Sequence, residues 1–116
     1  MRTLGVEIKG SDSIIILLEG SRQICKRLPL ARNKLQLPTA GAGEIENLLL
    51  LRGIFKQLFH DAKVEQVAFI RADKTAHPTR VKVEVILQLA AHEAQIAVES
   101  VPIQTINAAM KTRVIR

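Results

Sequence analysis

The residue types that most often carry out chemistry in proteins, histidine and cysteine, are sparse and widely spaced in this sequence. Its three histidines, His60, His77 and His92, do not have the short spacing of zinc ligands. The single cysteine, Cys25, can form no disulfide within the chain and has no second thiol to share a metal. The run Gly41-Ala42-Gly43 lacks the Lys-Ser or Lys-Thr pair of a phosphate-binding loop. We therefore interpret the three histidines as exposed polar residues, Cys25 as a buried core residue and the glycine-containing run as a flexible loop.

Basic residues are a more prominent chemical feature of the sequence. Seventeen Lys and Arg stand against eleven Asp and Glu, which gives a net charge of +6 at pH 7. A surplus of this size favours polyanionic partners, above all nucleic acid, although many small basic domains bind none. Trp and Tyr are absent, and Phe55, Phe59 and Phe69 stand in apolar runs typical of a core. Binding to nucleic acid would then depend on charge and not on base stacking.

Length and composition limit the number of domains and the compartment. A chain of 116 residues with 47% apolar residues is sufficient for one domain, 1–116, with one core. The nearly charge-free run Val83–Ala91 is too short to span a bilayer. Glu7 interrupts the apolar stretch that an export signal would need, and a lone cysteine fits a reducing compartment. We expect a soluble cytoplasmic domain with no membrane partner.

Alternating residues in the first thirty positions predict three consecutive strands. Thr3–Lys9 alternates apolar and polar residues, with Glu7 on the polar face. After a turn, the β-branched run Ser13–Glu19 predicts a strand buried on both faces. Gln23–Leu28 predicts a third strand with a solvated edge. Together these strands form a predicted antiparallel meander.

The rest of the chain predicts helices alternating with strands. Pro29–Gly43 has no sustained period and predicts a loop. The predicted elements after it are a helix over Glu44–Asp61, a strand over Val64–Ile70, a helix over Arg80–Ala91, a strand over Gln95–Glu99 and a short helix over Ile103–Lys111. Arg80–Val85 alternates as a strand would, but the preceding Pro78 favours a helix, and we predict a helix.

The first predicted helix carries more apolar residues than a single buried face needs. Leu49, Leu50 and Ile54 extend the apolar stripe around the helix. The segment Leu48–Phe59 would then form a homodimer, or the Pro29–Gly43 loop would cover the extra residues. The sequence leaves both alternatives open.

The second predicted helix carries a polar stripe. Arg80, Glu84 and Gln88 recur at every fourth position, and Lys82 stands among apolar neighbours. Such a stripe is typical of a solvated helix face with one weak ion pair. A role in a functional site is the alternative.

Several short motifs, together with the order of elements, carry a family resemblance. They are Leu4–Gly10, Val67–Arg71 and Ser100–Ile106. These resemble the first strand, the fourth strand and a strand-to-proline junction of the ribonuclease H-like fold, in its Holliday-junction-resolvase type. The segments Gly5–Gly10, Lys82-Val83-Glu84 with Gln88-Leu89, and Pro102–Ile106 are similar to a family of short uncharacterised bacterial proteins, a domain of unknown function. The resemblance implies an α/β fold with a mixed five-stranded sheet, a three-strand meander first, two main helices and a short C-terminal helix.

The same resemblance implies a metal-binding acid at Glu7, on the central strand. Two-metal phosphodiester cleavage needs several carboxylates that converge on the ions. Arg71 stands where the second acid is expected, and no Asp or Glu follows Glu99. We therefore expect a catalytically degenerate domain without a cofactor. The alternative is a nuclease dependent on Mg or Mn, with Glu7, Asp73 and Glu84 as its acids and Glu84 near Glu7.

Three functions are consistent with the sequence. The first is a degenerate domain that binds nucleic acid or a nucleoprotein partner. Its candidate nucleic-acid-binding residues are Lys9, Lys26, Arg27, Arg32, Lys34, Arg71, Lys74, Arg80 and Lys82. The second is the metal-dependent nuclease, and the third is a small adaptor that dimerises or docks on a larger complex.

Overall fold

A computed structural model describes residues 1–21, 24–70, 77–101 and 114–115 of the chain. The helices are α1 (Glu44–Asp61) and α2 (Pro78–Glu93), and the strands are β1 (Arg2–Lys9), β2 (Asp12–Gly20), β3 (Cys25–Leu28), β4 (Lys34–Gln36), β5 (Gln66–Ile70), β6 (Ala97–Val101) and β7 (Val114–Ile115). Among these residues, no helix is long and apolar enough to cross a membrane.

The strands form one mixed sheet in the order β6-β5-β1-β2-β3-β7, and β4 also pairs with β2. The β1–β2 and β2–β3 pairs are antiparallel, whereas β1–β5 and β5–β6 are parallel. Gly10, with φ +63°, provides the left-handed residue of the tight β1–β2 turn. β1 is an interior strand, so the prediction that Glu7 lies on a central strand is confirmed.

Both helices pack on the same face of this sheet. Leu4, Val6 and Ile8 of β1 are fully buried because period-two alternation points them all to that face. α1 contributes Leu51, Phe55 and Phe59 to the core, and α2 contributes Val83, Ile86, Leu87, Ala90 and Ala91. The described core is therefore a single layer between one sheet face and two helices.

The helix predicted over Arg80–Ala91 is confirmed as part of α2, despite its local alternation. Pro78 occupies the first turn, where its missing N–H is not needed. The Nδ1 atom of His77 accepts a hydrogen bond from the backbone N–H of Thr79 at 3.2 Å and caps the helix. Packing of the apolar face on the sheet therefore outweighs the strand propensity of the β-branched residues.

The prediction that Pro29–Gly43 is a loop is wrong for Lys34–Gln36, which form β4. Leu35 is buried in the core, and β4 pairs with the start of β2. Two backbone hydrogen bonds flank it, from Ile15 N to Asn33 O at 2.9 Å and from Leu37 N to Ser11 O at 3.1 Å. One buried residue in a three-residue strand is too short a pattern to predict.

Two further differences concern the strands. β2 was predicted to be buried on both faces, but only Ser13, Ile15 and Leu17 are buried, because the helices cover just one face. Within the described ranges, β4 and β7 bring the sheet to seven strands, where five were predicted. The predicted helix over Ile103–Lys111 lies outside the described residues.

Arg2 joins the start of β1 to three other parts of the fold. Its Nε donates to Glu19 Oε2 at 2.8 Å, and its Nη1 donates to the carbonyl oxygen of Ala62 at 3.0 Å. Its backbone N–H donates to Glu65 Oε1 at 3.1 Å. The Arg2 hydrogen bond and charge lower the pKa of the Glu19 carboxyl below its ordinary value.

We expect Arg2→Met to raise the pKa of Glu19 toward its ordinary value. Because the folded pKa is lowered, the Arg2–Glu19 pair stabilises the fold above the ordinary carboxyl pKa, and this stability is lost as the pH falls through the lowered value. Carboxyl NMR titration of Glu19, with urea unfolding at neutral and at acidic pH, measures both effects. Lys9→Met, which removes a different exposed ion pair, is the control. An unchanged Glu19 titration in Arg2→Met would contradict the assignment.

Candidate nucleic-acid interface

The sheet register determines which predicted cations share a surface. Lys9 pairs with Asp12, Arg27 with Leu18 and Lys34 with Ile14, and residues that pair directly point to the same face. Lys9 and the three β2 partners, Asp12, Ile14 and Leu18, alternate along β1 and β2 with the buried residues that face the helices. Lys9, Arg27 and Lys34 therefore lie on the opposite face, which we call the basic face.

β3 and β4 arrange two of these cations along one edge of β2. Both strands pair with the same side of β2, β3 with its second half and β4 with its first half. Arg27 pairs with Leu18 and Lys34 pairs with Ile14. These two β2 residues are four positions apart, which corresponds to about 13 Å along the strand. The two side chains are exposed and can contact separate phosphates of one nucleic-acid backbone.

The basic face also carries three carboxylates, Glu7, Asp12 and Glu99, and two of its three cations form partly exposed ion pairs. Lys9 Nζ lies 3.5 Å from Glu7 Oε1, and Lys34 Nζ lies 3.2 Å from Asp12 Oδ2. Within the described part of the chain, Arg27 forms no such pair. Exposed pairs of this kind contribute little to stability, so a phosphate can compete for the two lysines at small cost.

The other predicted cations lie elsewhere. Lys26 is exposed and lies opposite Glu19 in the β2–β3 register, which places it on the sheet face that carries the helices. Arg32 is exposed beside a groove between α1 and the chain that follows β3. Lys82 forms an ion pair with Glu44 on the helix side. Arg71 and Lys74 lie outside the described residues.

Arg80 and Glu84 are more buried than a solvated helix stripe would be. Arg80 Nη2 donates to the carbonyl oxygen of Ile70 at 3.4 Å, at the end of β5. Glu84 is only 9% exposed, whereas Gln88 is exposed. The interpretation of these residues as one solvated stripe therefore holds for Gln88 and not for Glu84.

The predicted carboxylates do not converge in the described structure. Glu7 alternates onto the basic face, while Glu84 belongs to α2, in the layer on the other side of the sheet. Asp73 lies outside the described residues. No group of three or more His, Cys, Asp or Glu among the described residues could hold a metal ion. These residues do not provide the ligand set of a two-metal site.

The structure also shows a groove that the sequence did not predict. It has a volume of about 630 Å³ and separates the C-terminal half of α1 from Leu28–Leu35. Ile54 and Leu58 line its helical side. Leu51, Phe55 and Phe59 are buried in the core, so most of the apolar stripe predicted as a dimer surface over Leu48–Phe59 is used within the chain.

Comparison with known proteins gives a family and a fold. A sequence model of the family described as "Protein of unknown function (DUF3010)" matches residues 1–116. No curated protein matches the chain.

Two solved structures of RuvC from Thermus thermophilus are similar to this chain. One, in complex with a Holliday junction substrate, is 12% identical, with a TM-score of 0.73 over 96% of this chain and 70% of the other. The second is 13% identical, with a TM-score of 0.73 over 97% of this chain and 70% of the other. At this identity the likeness establishes the fold alone. The predicted ribonuclease H-like fold of resolvase type is confirmed.

Proposed function

We infer that the chain, which belongs to the family described as protein of unknown function (DUF3010), binds nucleic acid through the basic face of a catalytically degenerate ribonuclease H-like domain. The observation that carries this proposal is the placement of Lys9, Arg27 and Lys34 on one sheet face by the register. The solved RuvC structure with a Holliday junction substrate supports a nucleic acid as the polyanion. We propose the cytoplasm as the compartment, because the chain has a single cysteine.

Recognition on this face would use phosphates and not bases. Phe55, Phe59 and Phe69, the whole aromatic content of the chain, are all at most 3% exposed. No ring is therefore available as a stacking platform. Lysine and arginine contacts to phosphates give affinity with little dependence on sequence.

We expect affinity for nucleic acid to fall roughly tenfold or more when the salt concentration rises from about 50 to 200 mM, because each neutralised phosphate releases counterions. Fluorescence anisotropy with labelled duplex, hybrid and branched oligonucleotides measures this slope. Salt-insensitive binding, or no binding at the lower concentration, would contradict an electrostatic interface.

A metal-dependent nuclease is the second candidate, favoured by the position of Glu7 on an interior strand and on the basic face itself. If the domain is catalytically degenerate, we expect the same oligonucleotides to remain intact with Mg or Mn. We expect Glu7→Ala to leave that result unchanged. Asp73 and Glu84 are the other acids available to an active enzyme. Metal-dependent cleavage that Glu7→Ala abolishes would replace the first proposal with this one.

A further inference from the structure

The chain that runs beside β2 leaves the sheet between β3 and β4. β3 ends opposite Leu17, and β4 begins opposite Ile14. Five residues, 29–33, therefore lie beside only the two β2 residues between these positions. Pro29 begins this segment, because it has no N–H to donate to a neighbouring strand. We call residues 29–33 the β3–β4 bulge.

The bulge encloses a pocket at the edge of the basic face. The pocket has a volume of about 410 Å³ and is lined by Ile15 and Ile16 of β2, by Arg27 and Leu28, and by the whole bulge. Arg27 lies on the basic face, and Ile16 alternates onto it along β2. The pocket is therefore continuous with the basic face, whereas the larger groove beside α1 lies on the helix side of the same bulge.

Two positive charges line this pocket without a counterion from the protein. They are Arg27 and Arg32, and among the described residues no carboxylate lines the pocket with them. Neither guanidinium forms an ion pair or a hydrogen bond within the described ranges. Asp61 lines the groove on the helix side together with Arg32, but its Oδ1 accepts a hydrogen bond from Gln57 Nε2 at 2.8 Å. The pocket is thus suited to an anion.

The bulge also supplies backbone donors. The N–H groups of Leu30, Ala31 and Arg32 have no hydrogen-bond partner in the part of the chain that the structure describes. The bulge returns to the sheet at Asn33, whose carbonyl oxygen accepts a hydrogen bond from Ile15 N at 2.9 Å. Successive backbone N–H groups and arginine guanidiniums are the donors that proteins use for phosphate oxygens.

We propose that this pocket binds the terminal phosphate of a nucleic-acid strand. A phosphate monoester carries about two negative charges near neutral pH, against about one for each phosphate within a strand, and so matches the two arginines. A terminal phosphate is also attached on one side only and can enter a pocket, whereas an internal phosphate is held between two sugars. This inference rests on the proposed function, because the adjoining basic face would hold the rest of the strand.

The test compares the affinity of the full chain for short single strands of one sequence, which end in a 5′-phosphate, in a 3′-phosphate or in hydroxyl groups alone. Calorimetric titration at one salt concentration measures each affinity. We expect a phosphorylated end to raise the affinity about tenfold, as an added hydrogen bond between charged groups does. The ratio of the affinities for phosphorylated and unphosphorylated strands isolates the pocket from the effect of net charge.

Arg32→Gln should lower this ratio to less than about threefold, because it removes one of the two charges that line the pocket. Lys63→Gln is the matched control, since Lys63 is also exposed and lies outside the pocket. We expect the control to leave the ratio at its wild-type value. Circular dichroism establishes that both variants remain folded.

Equal affinities for the three strands would overturn this inference and leave the proposed function standing, whereas no binding of any strand would overturn both. A ratio that Arg32→Gln leaves intact, or that Lys63→Gln lowers equally, would also overturn the assignment to the pocket. Inorganic phosphate distinguishes a free anion from a strand end. If it shifts the amide NMR signals of Ala31 and Arg32 while the strands show no preference, the pocket binds a free anion and the inference is wrong.

Discussion

Replacing Arg27 and Lys34 by glutamine should lower the affinity for duplex nucleic acid about a hundredfold at moderate salt. Each residue is expected to donate to a phosphate, and a hydrogen bond to a charged group contributes about 1.5 kcal/mol or more. The slope of log affinity against log salt should also fall by about two, one unit for each lost contact. Both effects should be similar for different sequences, because neither side chain is expected to read bases.

The matched control is the pair Lys56→Gln and Lys63→Gln, which removes the same charge away from the basic face. Lys56 lies on α1 and Lys63 follows it, and both are exposed. We expect this variant to lose only a small, nonspecific part of the affinity. Equal losses in the two variants would mean that net charge, and not the basic face, determines binding.

The largest loss of stability should follow Phe55→Ala. Phe55 is fully buried and stacks on Phe59 with ring centroids 6.2 Å apart. Truncating a buried aromatic side chain costs about 3 to 5 kcal/mol, through lost burial and the cavity that remains. Since small domains are stable by only about 5 to 15 kcal/mol, a substantial part of the variant population should unfold near physiological temperature.

Urea denaturation of both proteins measures the change in the free energy of unfolding. Ile45→Ala, a truncation on the same helix at a side chain that is 74% exposed, is the control and should change stability by less than about 0.5 kcal/mol. A loss under about 1 kcal/mol in Phe55→Ala would contradict the packing of α1 on the sheet.

The long elements were predictable because each has many residues that repeat the same pattern. The predicted bounds of α1, Glu44–Asp61, agree with the structure, since its core residues recur at helical spacing and Glu44 and Glu46 occupy the first turn. α2 has a strand-like start, and only the cap at His77 and the proline after it indicate a helix. β4 contains one core residue and gives no pattern at all.

The candidate interface was only partly predictable. Alternation along β1 places Glu7 and Lys9 together on the polar face, as the sequence indicates. That Arg27 and Lys34 share this face depends on how β3 and β4 pair with β2, because a shift of one residue would reverse their direction. The sequence does not contain that register. Nor does the sequence determine how far Glu7 lies from Glu84. The fold places Glu7 in the sheet and Glu84 in the helix layer.

The mixed sheet also determines the order in which its two halves can assemble. The antiparallel strands β1, β2 and β3 are joined by short turns, so their pairing closes small loops. β5 pairs with β1 across more than half of the chain, for example at Thr3 and Gln66. Nonlocal pairing of this kind slows folding. On the ribosome, the antiparallel half can therefore form before β5 and β6 have been synthesised, at a stage when its apolar face still lacks α2, which follows β5 in the chain.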